Sequence, residues 1–247
     1  MYTSNRTTML NKFHVWFPGG IVIGALATNF MNTLGLGFQL KIAIMIIPTL
    51  IYGFMFFKAI FPKSENIDTD TSNNIKSLFS LLFIFIAVCM TLTATTELGT
   101  QQWLQPLLEK SGANPMLILA MTTGIMAVGR YFAGPIVHKL NPIGVLFMSA
   151  IVSTVAIYFM SIADGTGLYG AAILFAFGVC YFWPTMIGFV AEYIPKTGAL
   201  GMSLVGGMGM FATGIWNPII GSWIDTNTKN ALESGSVSYT HLRAHET

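Results

Sequence analysis

The chain has 247 residues, of which 53% are hydrophobic and only 9% charged, with a formal net charge of +2 and a mean hydropathy of +0.66. A soluble domain carries about 25% charged residues, so this composition excludes a water-soluble globule, and the small, scattered positive excess excludes a nucleic-acid-binding surface. Apolar runs near the ~20 residues needed to cross a bilayer, without the alternation of barrel strands, predict an all-α, polytopic helical membrane protein of seven spans.

In chain order, the opening MYTSNRTTMLNKFH lacks the apolar region and cleavage site of a signal peptide. The first run, residues 15–34, is therefore expected to be a retained helix. His14 stands at its start as a ligand contact, a titrating group or an interfacial cation. Pro18, Gly19 and Gly20 interrupt the run, and Asn29 and Asn32 share one face as candidate substrate contacts. The second run, residues 43–61, carries Pro48, and the polar FPKSENIDTDTSNNIK at residues 61–76 reads as a flexible, solvated linker.

The third run, residues 78–97, leads into TTELGTQQW near its outer end, with Glu97, Gln101, Gln102 and Trp103. Glu97 and Gln101 are four residues apart and share a helical face. Amides and carboxylates bind hydroxyls and an indole covers the apolar face of a sugar ring, so these residues suit a sugar site. Trp and polar residues also gather at membrane interfaces, which is the alternative. Glu97 is also the best-placed carboxylate in the chain for proton coupling.

The fourth run, residues 116–137, is expected to continue into GRYFAGPIVHKLNP, which holds Arg130, His138 and Lys139. Arg130 precedes the end of that run by about two helical turns, a depth at which a charge needs a partner or a watery cavity. The remaining runs span residues 143–162, 169–194 and 200–224. Tyr181, Trp183, Trp216 and Asn217 could line a cavity from this half, while Pro184, Pro218 and several glycines break or pack the helices. Cys89 and Cys180 fall inside runs and read as packing thiols.

Orientation follows from the cations between runs. One side holds Arg6, Lys12, Lys58, Lys63, Lys76, Arg130, Lys139 and Lys196, the other only Lys41, Lys110 and Lys229. The richer side is expected to be cytoplasmic, with Arg130, His138 and Lys139 at an inner turn.

Several of these stretches resemble the major facilitator superfamily, in its fucose:proton symporter-like branch. GRYFAGPIVHKLNP resembles the turn between the eighth and ninth helices, and LNKFHVWFPGG the start of the fifth. TELGTQQWL resembles the end of the seventh, and FWPTMIGFVAEYIPKTGALGMSLVGGMG the tenth and eleventh. The resemblance implies that the seven runs are helices five to eleven of a twelve-helix fold. Residues 1–61 would then close an N-terminal half, 62–77 would be the central cytoplasmic linker, and 78–235 a C-terminal half lacking its last helix. The turn departs from the family pattern where His138 stands in place of an acidic residue, and Glu192, at the cytoplasmic end of the sixth run, is the expected substitute partner of Arg130, in a pair that breaks and reforms as the inner side opens.

What the resemblance implies for function is secondary active transport of a small polar solute, a sugar with proton symport, by alternating access. The protein would sit in the inner (plasma) membrane among lipid, monomeric when full length and without a cofactor. The family's coupling carboxylates lie in its first and fourth helices, ahead of this chain's matches. The final SVSYTHLRAHET resembles a translated sequencing adaptor and is set aside as a non-native tail, residues 236–247. A drug or metabolite exporter on the same scaffold, with a larger apolar cavity, is the alternative, and a seven-helix receptor a further one. A retinal protein would need a lysine in the last run, which has none. No Ser/His/Asp set, metal motif or phosphate loop stands out, so no enzymatic activity is expected.

Overall fold

The computed structural model describes residues 6–60, 71–109, 114–163 and 166–233. The expected tail, the first part of the linker, Lys63 and Lys110 lie outside the described residues. The elements are α1 (Arg6–Phe13), α2 (Trp16–Thr33), α3 (Phe38–Ile44), α4 (Ile46–Lys58), α5 (Thr71–Leu78) and α6 (Leu81–Ala94). A π-turn (Thr95–Gly99) leads into α7 (Thr100–Glu109), followed by α8 (Pro115–Tyr131), α9 (Ala133–Ile162), α10 (Thr166–Val179) and α11 (Phe182–Tyr193). A 3-10 turn (Pro195–Thr197) precedes α12 (Gly198–Glu233), and no strand occurs among the described residues.

Six stretches are long and apolar enough to cross a membrane: Arg6–Thr33, Phe38–Lys58, Leu81–Leu104, Ala133–Ile162, Thr166–Tyr193 and Pro195–Asn230. The fourth run instead forms α8, an apolar helix of 17 residues, about 26 Å long.

Local chemistry sets the ends. The Asn114 side chain accepts the N–H groups of Met116 (3.0 Å) and Leu117 (3.3 Å) with Pro115 in the first turn, which starts α8. Ser80 caps α6 in the same way through the Phe83 N–H. After α2, Gly35 takes a left-handed φ of 67° and the Leu36 N–H reaches back to the Met31 carbonyl at 3.1 Å, a closure that glycine permits without steric cost.

Several expected boundaries move. The first helical stretch begins at Arg6 rather than Val15, because Thr7 and Asn11 turn inward against α11 and are fully buried. The third run does not end at Glu97, since helix continues through the π-turn to Glu109. Glu97 and its neighbours therefore lie inside a long rod rather than at its outer end. The fourth run stops at Tyr131 instead of Val137.

Residues 133–140 then make a short helix that breaks at Asn141 (φ 53°, ψ 170°). Pro142 disfavours the helical region for the residue before it, asparagine tolerates the left-handed φ, and its side chain accepts the Gly144 N–H at 3.0 Å. The second half of the expected linker is also helical: α5 sets Asn74 against Gly198 at the start of α12.

Phe83, Ile86 and Met90 of α6 pack with Met186, Phe189 and Val190 of α11 and Val205 of α12. Met126 of α8 joins Ala156 of α9 and Phe175, Ala176 and Val179 of α10 in a second cluster. Lipid supplies no hydrophobic drive between helices, so close approach depends on small residues. At Gly178 of α10 a Cβ would stand 2.6 Å from the Ser153 backbone nitrogen of α9.

Contacts along each pair give the helix directions. α2 runs antiparallel to α8, with His14 at Arg130, Val22 at Gly124 and Asn29 at Asn114. The rod of α6 and α7 runs parallel to α12, with Ala94 at Gly209, Asn217 at Gly99 and Trp103 at Gly221. α3 and α4 contain no buried residue.

Candidate functional site

Two prolines prepare the site. Proline has no N–H, so the carbonyl four residues before it loses its helical partner. Pro18 leaves the His14 carbonyl in this state, at the link between α1 and α2, and Pro184 leaves that of Cys180, at the link between α10 and α11. Arg130, in the last turn of α8, takes both: its Nε donates to Cys180 O at 2.7 Å and its Nη1 to His14 O at 3.3 Å. Its Nη2 donates to Glu97 Oε1 at 3.0 Å, which closes the only ion pair among the described residues.

Both partners are buried, with side-chain exposures of 1% and 2%. A buried ion pair persists only where further hydrogen bonds offset the loss of water. The planar guanidinium fork meets that need here by reaching a carboxylate and two released carbonyls at once. Gly129 allows the approach, since a Cβ there would stand 2.8 Å from Cys180 Sγ, and its carbonyl accepts the Tyr181 hydroxyl at 3.1 Å.

Glu97 lies in the π-turn, a helical irregularity that frequently accompanies functional sites. Upstream, the Thr93, Thr95 and Thr96 hydroxyls donate back to the carbonyls of Cys89, Thr91 and Leu92, a pattern that bends helices. The shared face expected for Glu97 and Gln101 is present: Gln101 meets Met126 of α8 at 3.1 Å, one turn from Arg130.

The Arg130–Glu192 pair is not formed. Glu192 Oε1 instead accepts the Thr7 N–H at 2.7 Å, while Arg6 Nη1 donates to Ala191 O at 2.6 Å. A carboxylate thus meets the N-terminal end of α1 and a cation the C-terminal end of α11, as helix dipoles favour. Asn11 extends this clasp to Thr185 at 3.3 Å. At Gly188 a Cβ would stand 2.7 Å from Thr7 Oγ1 and 2.8 Å from its Cα. Gly188→Ala is expected to cost about 1–3 kcal/mol by overpacking, seen as a lower unfolding temperature in detergent, with faster alkylation of a Thr185→Cys reporter as α1 lifts from α11.

The other candidates fall in separate places. Gln102 Oε1 accepts the Asn217 amide at 2.6 Å between α7 and α12, beside Trp103, which lies against Gly221. Asn29 accepts the Asn114 amide at 2.8 Å, and Asn32 accepts the Lys41 ammonium. Both asparagines thus sit at the other end of α2 from Arg130 and do not converge with Glu97. The His14 ring donates to its own helix at Leu10 O (2.8 Å), so the residue enters the site through its backbone. Trp183 packs against Gly209, Trp216 stands edge-on to Trp223, and His138 and Lys139 are exposed.

Comparison of the chain with protein-family models, curated proteins and solved structures finds no match. The reading of the site therefore rests on its own geometry. Sequence reasoning missed the Cys180 carbonyl and the buried Thr7, Asn11 and Thr185. The signals were present: a proline four residues after each recruited carbonyl, and polar residues four apart at Thr7 and Asn11. Apart from these, a groove of about 550 Å³ runs between α6, α9 and α11, with apolar walls that include Phe85, Phe147, Met186 and Phe189.

Proposed function

We propose that the chain is the greater part of a secondary active transporter for a small polar solute, a sugar carried with a proton, working by alternating access in the inner (plasma) membrane. The observation that carries this reading is the buried Arg130, which ties the first helical stretch to the Glu97 rod and to the α10–α11 break. An ionisable pair at such a place, with backbone carbonyls released by broken helices, is the arrangement expected of a solute or ion pathway. The Gln102–Asn217 pair beside Trp103 supplies amides and an indole suited to hydroxyl-bearing solutes.

The reading counts α8 as a seventh crossing. In its support, α7 and α12 lie parallel, which in a membrane requires an odd number of crossings between them. On the resemblance described above, these crossings correspond to helices five to eleven of a twelve-helix carrier, and α3–α4, which buries none of its residues, would pack on helices beyond this chain.

The test is uptake by the intact gene product in proteoliposomes, with an acid-outside gradient and a panel of labelled mono- and disaccharides. Accumulation of at least one sugar, abolished by a protonophore, is the expected result, and binding without accumulation would reject the carrier. The apolar groove favours a second reading, an exporter of apolar compounds. Inverted vesicles that concentrate a hydrophobic dye but no sugar would favour it.

A further inference from the structure

We propose that Glu97 is a proton-binding site, with the proton held on Oε2 and Arg130 kept in place by the carbonyls of His14 and Cys180 while the carboxyl is neutral. Its use in transport rests on the carrier reading above, but its existence does not.

The first observation is an unfilled valence. Glu97 is 2% exposed, and Oε1 accepts from Arg130 while Oε2 has no hydrogen-bond partner among the described residues. An ionised carboxylate offers about four lone-pair sites, and leaving such a charged oxygen buried and unpartnered is costly. Protonation at Oε2 removes the charge from the atom that nothing else compensates.

The second observation concerns the cation. Neutralising a carboxylate beside a buried guanidinium ordinarily strands the positive charge, which is why such pairs resist protonation. Arg130 is not stranded here. Its Nε and Nη1 keep Cys180 O and His14 O, which Pro184 and Pro18 have freed from their own helices. The site therefore keeps Arg130 partnered whichever protonation state Glu97 holds.

The titratable and polar groups around the Arg130–Glu97 pair come from each neighbouring element. Arg130 lies on α8, His14 on the α1–α2 link with its ring turned to Leu10, and Cys180 and Tyr181 on the α10–α11 link, the Tyr181 hydroxyl donating to Gly129 O. From α12 the neighbour is the uncharged Asn217, against Gly99. Only an O–H bond forms and breaks: the proton comes from bulk water on one face of the membrane and returns to bulk water on the other.

The experiment is infrared difference spectroscopy of the purified full chain across a pH titration, comparing wild type with Glu97→Gln, which keeps an acceptor for Arg130 but cannot take the proton. Wild type is expected to show a protonated-carboxyl band that disappears as pH rises, and the variant to lose one carboxyl's amplitude from it. Glu97→Asp, run in parallel, should move that component rather than delete it, which covers the case in which the Gln variant fails to fold. An unchanged carboxyl band in both variants would overturn the proton site. That result would leave the carrier reading standing, whereas a failed sugar panel with the band present would reject the carrier and keep the proton site.

Discussion

Arg130→Ala is expected to destabilise the protein by about 3–5 kcal/mol, the cost of leaving a buried carboxylate without its cation. The guanidinium holds Glu97 Oε1, His14 O and Cys180 O, so its removal strands three acceptors in a region that water does not reach. The informative control is the double variant Arg130→Met with Glu97→Leu. Removing both charges spares the cost of a lone buried carboxylate but still leaves the His14 and Cys180 carbonyls without their donor, so the double variant should recover part, not all, of the stability lost in Arg130→Ala. Thermal unfolding in detergent resolves the difference. Equal stability of wild type and Arg130→Ala would show that the pair is hydrated, against the geometry described.

The second large effect is at Gly178. Its α-carbon lies so close to α9 that an added Cβ would stand 2.6 Å from Ser153 N and 2.8 Å from Ser153 Cα. These are backbone atoms, which cannot swing aside, so Gly178→Ala must part the two helices at a cost of about 1–3 kcal/mol or more. Gly170, on the same helix, has open space where its Cβ would be. Gly170→Ala is therefore expected to be neutral or to gain up to about 1 kcal/mol from the better helix former. Opposite signs for one substitution on one helix, read by the same unfolding assay, test the packing itself.

Much of the fold was legible because bilayer length imposes a coarse ruler: six of the seven expected runs reappear within candidate spans. The ruler failed where polarity and helicity part company. Arg6–Phe13 is polar on average yet helical, because Thr7 and Asn11 find partners on α11 instead of water. TTELGTQQW looked like an end because it is polar, but the helix continues past it and Glu97, Gln101 and Gln102 find partners on neighbouring helices in Arg130, Met126 and Asn217. The break at Asn141 falls between the fourth and fifth expected runs, where polar residues and Pro142 marked a turn, whereas the earlier break after Tyr131 carries no such change in hydropathy.

For the site, the sequence marked Arg130 and Glu97 separately and paired Arg130 with Glu192. Charge alone does not reveal which carboxylate lies across from an arginine, and the deciding information was in the backbone. WFP and FWP each place a proline four residues beyond a carbonyl that Arg130 receives, His14 in one case and Cys180 in the other. That spacing is readable in the chain, but it acquires meaning only when α2, α8 and α10 are brought to one point. Asn29 and Asn32 share a face as their spacing requires, yet that face leads to Asn114 and Lys41.

The most direct measurement of the central claim is accumulation of a transported sugar in proteoliposomes by wild type and by the double variant Arg130→Met with Glu97→Leu, at matched amounts of folded protein. The account predicts proton-driven accumulation by wild type and none by the folded double variant. Wild-type accumulation in the double variant would contradict it.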